Sequence, residues 1–86
     1  MVPPEVLAAF DAIPAGSSRG RFRGETWLVT KSALAGGRAQ KLLAREMGGT
    51  GYVSLNLYRL DRGALLKPCE MPEAAAIEFL SGFLPE

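Results

Sequence analysis

The spacing of apolar residues predicts a helix at each end of the chain. Near the start, apolar residues recur at helical spacing behind two prolines, which suit a first helical turn, and Pro14 ends the pattern. Near the end, Pro72 and Glu73 begin a second amphipathic segment. The apolar positions are Val6, Leu7, Phe10 and Ile13 in the first helix and Ile77, Phe79, Leu80, Phe83 and Leu84 in the second.

A third helix is predicted in the middle of the chain. Gly36 and Gly37 precede an apolar stripe at helical spacing, and Gly48 and Gly49 follow it in the place of a C-terminal cap. The stripe consists of Ala39, Leu42, Leu43 and Met47.

Two β-hairpins are predicted between these helices. The first begins near Gly20 after a loop over residues 15–19, turns at Gly24 and Glu25, and returns over residues 26–31 with β-branched and aromatic side chains. The second starts with residues 52–60, where apolar and polar residues alternate as in a half-buried antiparallel strand. It turns at residues 61–63 and returns over residues 64–67 until Pro68 removes a backbone donor.

The predicted fold class is α+β in one small domain over residues 1–86, because a chain of 86 residues builds a single core. Its elements follow the order α-ββ-α-ββ-α. An antiparallel sheet with helices packed mainly on one face covers the apolar side of both hairpins. The opposite sheet face is then expected to be partly exposed.

The composition is typical of a folded, soluble protein and excludes several kinds of chemistry. Apolar residues make up 48% of the chain, but its uncharged runs fall far short of the roughly 18 residues of a membrane span. No positive segment typical of a secretion signal opens the chain, so we expect a cytoplasmic location. The absence of histidine and the single cysteine leave no zinc cluster, His-based triad or internal disulfide. We therefore expect no metal and no cofactor, and binding is favoured over catalysis.

Charge is segregated along the chain, although the net charge is only +1. All ten basic residues lie between Arg19 and Lys67 together with three acids, which gives this interval a charge of +7, whereas the flanking segments hold six acids and no base. Arg19, Arg21 and Arg23 alternate along an extended segment. Arg38, Lys41 and Arg45 share one face of the predicted middle helix. With one tyrosine of the sheet, the candidate binding residues are Arg19, Arg21, Arg23, Arg38, Lys41, Arg45 and Tyr58.

These residues predict a non-enzymatic binding module whose partner is a protein or a nucleic acid. Phosphates would give such a surface salt-dependent affinity, and Tyr58 or Tyr52 could stack on bases if their face of the sheet is open. The alternative interpretation is a solvated helix face whose charge the acidic terminal helices neutralise. The isoelectric point near 7.9 also lies below the value of about 9 that dedicated nucleic-acid binders exceed.

Cys69 carries the alternative function, a thiol-dependent enzyme such as a reductase. It precedes the helix that begins at Pro72 and has Lys67 nearby, and both a helix N-terminus and a cation favour a thiolate. A buried structural cysteine is the other interpretation, since free cysteines are among the most buried residues and Glu70 disfavours a thiolate.

The chain is expected to be a monomer or a homodimer. A homodimer would be joined through the C-terminal helix, where Phe79 and Phe83 widen the apolar surface beyond one stripe.

Residues 44–58, Ala-Arg-Glu-Met-Gly-Gly-Thr-Gly-Tyr-Val-Ser-Leu-Asn-Leu-Tyr, and residues 67–72, Lys-Pro-Cys-Glu-Met-Pro, resemble a family of small uncharacterised bacterial proteins. Some members are labelled peptide methionine sulfoxide reductase, which implies a cysteine nucleophile and places Cys69 in that role. The surroundings of Cys69 differ from the Gly-Cys-Phe-Trp and Arg-Tyr-Cys motifs of sulfoxide reductases. The resemblance therefore implies a bacterial housekeeping-type domain and assigns no chemistry.

Overall fold

The computed structural model describes residues 2–86, which form two α-helices and six β-strands. In chain order the elements are α1 (Pro4–Ala12), β1 (Gly16–Phe22), β2 (Glu25–Leu34), β3 (Ala39–Glu46), β4 (Tyr52–Leu60), β5 (Gly63–Pro68), α2 (Glu73–Gly82) and β6 (Leu84–Pro85), with one 3-10 turn at Ala35–Gly37.

The six strands form one antiparallel sheet in the order β5-β4-β3-β2-β1-β6. Each of the first five strands pairs with its neighbour along the chain, so this part of the sheet is a meander, and the sheet curves as a half-barrel. The short strand β6 returns from α2 and pairs with Gly20 and Arg21 at the free edge of β1.

The predicted α+β fold with the order α-ββ-α-ββ-α is wrong: the chain is mostly one antiparallel sheet with two helices, and the segment predicted as the middle helix is the central strand β3. It pairs along its whole length with β2 and over most of its length with β4. Leu42 is fully buried on one side of the strand and Leu43 is half-buried on the other, so their adjacency suits a strand covered by two neighbours. Isolated helices this short are marginal, and the tertiary pairing overrides the helix propensity of the segment.

The glycines that flank this segment belong to turns. Gly48, with a φ of +83°, lies in the turn between β3 and β4 and does not cap a helix. Gly36 and Gly37, at +67° and +91°, lie in the 3-10 turn between β2 and β3.

The other predicted elements are confirmed with shifted boundaries. Both terminal helices and the second hairpin lie near where the sequence predicts them, but Leu84, predicted in the second helix, belongs to the unpredicted strand β6, and β5 begins at Gly63 inside the predicted turn. Strand β1 begins at Gly16, so most of the predicted loop over residues 15–19 is strand. The first turn lies one residue earlier than predicted, at Arg23 and Gly24, and both have the positive φ of a two-residue hairpin turn.

Both helices pack on one side of the sheet and form a single core with it. We call the strand positions that point toward the helices the inner face. The ring of Phe79 in α2 lies 4.9 Å from the ring of Phe22 and 5.1 Å from that of Trp27, and 5.2 Å from the ring of Phe83. Phe79 and Phe83 are only 1% and 5% exposed, so the apolar surface expected to join a homodimer is buried within the chain.

One charged side chain, Lys31 of β2, is buried on the inner face. Its Nζ donates hydrogen bonds to the backbone oxygens of Phe10 and Ile13, at 2.9 and 2.8 Å, and lies 4.4 Å from the centroid of the Phe10 ring. These carbonyls belong to the end of α1, whose last turn has no basic residue of its own. Lys31 therefore supplies the cation that a helix C-terminus favours and links α1 to the sheet.

Burial lowers the pKa of Lys31 below its ordinary value, and Asp11 raises it in partial opposition. Because the folded state then binds fewer protons than the unfolded chain at pH values just below 10.5, the stability contribution of Lys31 rises with pH in that range.

We expect the free energy of unfolding of the wild type, minus that of Lys31→Met, to increase as the pH is raised from 7 towards 10. Urea denaturation of both proteins at several pH values measures this difference. A difference that is constant or decreases with pH would contradict the expected shift.

The close packing of β6 against β1 allows a prediction about Gly20. Gly20 is buried on the inner face, and a Cβ atom there would lie 2.6 Å from the backbone oxygen of Leu84 and against the ring of Phe83. We expect Gly20→Ala to lower the free energy of unfolding by about 1 to 3 kcal/mol, because overpacking displaces neighbours. The exposed control Ser32→Ala should stay within about 0.5 kcal/mol of the wild type. Equal stabilities of the two variants in urea would refute this packing argument.

Candidate functional site

The sheet side turned away from the helices, which we call the outer face, is formed by the outward positions of β1 to β5. Side chains alternate between the two faces of a strand, so the register of the pairs defines which residues lie together. Four long rows cross the face. They are Arg19, Leu28, Arg45 and Tyr52; then Ser17, Thr30, Leu43 and Ser54; then Ser32, Lys41, Asn56 and Lys67; then Leu34, Ala39, Tyr58 and Leu65.

The outer face carries one sign of charge. Its outward strand positions hold five basic residues and no acidic one, namely Arg19, Arg21, Lys41, Arg45 and Lys67. Four acids lie in α1 and α2, at Glu5, Asp11, Glu73 and Glu78. Glu46 points inward and accepts a hydrogen bond from the backbone nitrogen of Gly51 at 3.1 Å. The charge that the sequence separates into blocks is therefore also separated between two sides of the molecule.

Five of the seven candidate binding residues lie on this face. Arg19 and Arg21 alternate along β1 as predicted. Lys41 and Arg45 also share a face, although they do so on a strand, because a spacing of four residues preserves the side in a strand as well as in a helix. Tyr58 lies outward on β4 with 37% of its surface exposed.

The other two candidates lie away from the main patch. Arg23 sits in the β1–β2 turn, where its guanidinium forms an ion pair with Glu78 of α2 and lies 5.1 Å from the ring centroid of Phe22. It belongs to the helical side and not to the row of Arg19 and Arg21. Arg38 precedes β3 and lines a groove at one end of the outer face.

Lys67 belongs to the outer face but is missing from the sequence-based candidates, and Tyr52, considered there beside Tyr58 for base stacking, lies on this face as well. The predicted turn covers residues 61–63, whereas the observed turn has only Asp61 and Arg62, and this shorter turn places Asn56 opposite Lys67. The alternation that places Tyr58 outward places Tyr52 there too. Because β3 is predicted as a helix, the sequence-based fold does not place these residues in one sheet with the arginines of β1.

One groove opens on the outer face, and a second lies at the end of the sheet beside the β4–β5 turn. The first has a volume of about 230 Å³ and is lined by Leu28, Thr30, Leu43, Arg45 and Tyr52. The second has a volume of about 400 Å³ and is lined by Arg38, Ala39, Tyr58, Arg59, Leu60 and Asp61. Each therefore combines one tyrosine of β4 with arginine, and the second also contains a carboxylate.

Cys69 follows β5 and is exposed, so it is not the buried structural residue that one interpretation of the sequence predicts. Its backbone nitrogen donates to the backbone oxygen of Ser54 at 2.9 Å, which extends the β4–β5 pairing by one residue. It thus lies at the margin of the sheet, and three residues separate it from the start of α2. Its role as a nucleophile stays a prediction.

Comparisons with known proteins found no family model, no curated protein and no solved structure that matches the chain. The resemblance noted from the sequence is therefore neither supported nor contradicted. Within residues 2–86, no helix is long and apolar enough to cross a membrane.

The exposure of Cys69 predicts how its thiol reacts. We expect N-ethylmaleimide to modify the native protein within about threefold of the rate for the urea-unfolded chain, because access is the same in both states. Cys69→Ser should take up no reagent. Labelling that requires unfolding would contradict the exposed position, and native labelling far faster than that of the unfolded chain would support the thiol-enzyme alternative.

Proposed function

We propose that this protein is a non-enzymatic binding module that holds nucleic acid on its outer face. The observation that carries the proposal is the single sign of charge on that face, with five basic side chains and no acid at the outward positions of β1 to β5. Like charges that share a surface repel one another, and an anionic ligand along the face would compensate them.

The arrangement of the bases suits a chain of phosphates better than a single anion. They are distributed over three strands, β1, β3 and β5, rather than gathered around one cavity. Guanidinium and ammonium groups that contact successive phosphates release counterions, which gives affinity without sequence preference. The exposed rings of Tyr52 and Tyr58 add aromatic surface among these bases.

The small net charge of the protein does not weaken this proposal. Affinity for a polyanion depends on the potential at the surface that meets it, and the acids of α1 and α2 lie on the other side of the sheet. Two of them, Asp11 and Glu78, pair with Arg59 and Arg23 and so neutralise bases outside the outer face.

A protein partner with an acidic surface is the other candidate for the same face. The exposed tyrosines favour nucleic acid, because base stacking uses the π-face that every base offers. Binding of a labelled oligonucleotide at low salt distinguishes the two partners, since a face built for an acidic protein need not retain a short nucleic acid.

We expect an oligonucleotide to bind with an affinity that falls steeply with salt. If all five bases contact phosphates of a single strand, the slope of log K against log salt is about −3.5, at about −0.7 for each phosphate. Arg19→Ala combined with Arg21→Ala should weaken binding and reduce the slope by about 1.4. Fluorescence anisotropy of a labelled oligonucleotide at several KCl concentrations measures both quantities.

Arg23→Ala combined with Arg59→Ala is the matched control, because it removes the same number of arginines, and both pair with acids of the helices away from the outer face. It should leave affinity and slope unchanged. An equal loss of binding in the control would show that net charge and not the outer face is responsible. The absence of binding by the folded wild type at low salt would refute the proposed function.

A further inference from the structure

The groove that contains Tyr52 is built across three strands of the outer face. Leu28 of β2, Arg45 of β3 and Tyr52 of β4 stand in one row, and Thr30 and Leu43 stand next to one another in the adjacent row. Leu28 is 40% exposed and Tyr52 is 54% exposed. Apolar and aromatic surface is thus open to solvent at this point, with a guanidinium between the leucine and the ring.

The size of this groove limits its ligand. A volume of about 230 Å³ is less than the roughly 300 to 1,000 Å³ of pockets that enclose a drug-sized molecule. It suits one planar group that lies against Leu28, Leu43 and the Tyr52 ring. The Arg45 side chain at its wall suits an anion attached to that group. A nucleotide combines these two features, since its base has an apolar face and its phosphate is anionic.

We infer that this groove receives one unpaired base, so that the nucleic acid held by the outer face is single-stranded. This inference rests on the proposed function and adds the class of nucleic acid to it. In a duplex the faces of the bases are covered by their stacked neighbours, and only phosphates and groove edges are presented. An unstacked base can place its face on a tyrosine ring, which is how proteins commonly bind single strands.

The second tyrosine sets the length of strand that the outer face accommodates. Tyr52 and Tyr58 are six residues apart on β4, or roughly 20 Å at the rise of a β-strand. At the rise of about 3.4 Å per nucleotide in a stacked strand, this separation corresponds to about six nucleotides. Lys41 and Lys67 flank Asn56 between the two rings, so phosphates that run along β4 meet ammonium groups on either side.

Three ligands test this inference at one low salt concentration. They are a thymidine hexanucleotide, the same chain without bases, which carries the same charge, and a hairpin with a stem of six base pairs, which carries about twice that charge. Because stacking is added only where an unpaired base is present, we expect the hexanucleotide to bind about 5- to 100-fold more tightly than the abasic chain, and at least as tightly as the duplex despite the larger charge of the duplex. A uridine hexanucleotide should show the same preference over its abasic form, since the base face and not the sugar is recognised.

Two variants assign the preference to the groove. Tyr52→Ala should lose several-fold of the preference for the hexanucleotide over the abasic chain, whereas Tyr52→Phe keeps the ring and should retain the preference. Tyr52 is exposed, so circular dichroism should show both variants folded as the wild type.

The outcomes separate this inference from the proposed function. Equal and salt-dependent binding of all three ligands would overturn the base-binding groove and leave a polyanion-binding face. The same would follow if Tyr52→Ala kept the full preference for the hexanucleotide. Failure of every ligand to bind would overturn both proposals.

Discussion

The buried ammonium of Lys31 is the contact on which the arrangement of the sheet depends. Its protons go to two backbone oxygens at the end of α1, so Lys31 is accommodated on the inner face only while the helix is in place. Conversely, α1 has nine residues and is too short to be stable alone. A slip of β2 by one residue would turn Lys31 outward and expose Trp27 and Val29. The single contact therefore stabilises both the helix and the register of the strand.

The register of β2 also determines which residues of β1 and of β3 lie opposite it. Pairing with β1 places Arg19 opposite Leu28, and pairing with β3 places Arg45 opposite the same residue. The composition of the outer face thus follows from contacts on the inner one. Arg23 and Arg59 pair with acids of the two helices, whereas within residues 2–86 no outward base of the five takes part in an ion pair, although Arg21 donates to the backbone oxygen of Gly24 at 3.0 Å. This contrast supports an external anion as the partner of the outer face.

The sequence predicts the ends of the molecule well and its centre poorly. The alternation over residues 52–60 identifies β4 with its correct boundaries, and the prolines before α1 and α2 mark where those helices begin. The error at β3 has a physical cause. A central strand is apolar on both faces, so Leu42 and Leu43 are adjacent, and with Ala39 they also match helical spacing. Only the neighbouring strands decide between the two structures, and a single sequence does not show how they pair.

The same limit applies to the candidate site. The charge block is visible in the sequence, but its division between two faces depends on turns. Arg23 continues the alternation of Arg19 and Arg21 in the sequence, yet its positive φ in the turn directs it towards Glu78. Tyr52 and the leucines of its groove become neighbours only through the pairing of β3 with β2 and β4.

The edges of the sheet explain why its face is the surface available for a partner. An open strand edge commonly recruits another strand through its backbone. Here the backbone of Glu86 donates to the oxygen of Arg19 at the β1 edge, beyond the two residues of β6, and Val2 donates to the oxygen of Ala64 at the β5 edge. Both edges are therefore partly occupied by the chain itself. What remains is a curved, one-sided surface with bases, two exposed rings and no covering helix, and a flexible polyanion with aromatic groups matches each of these features.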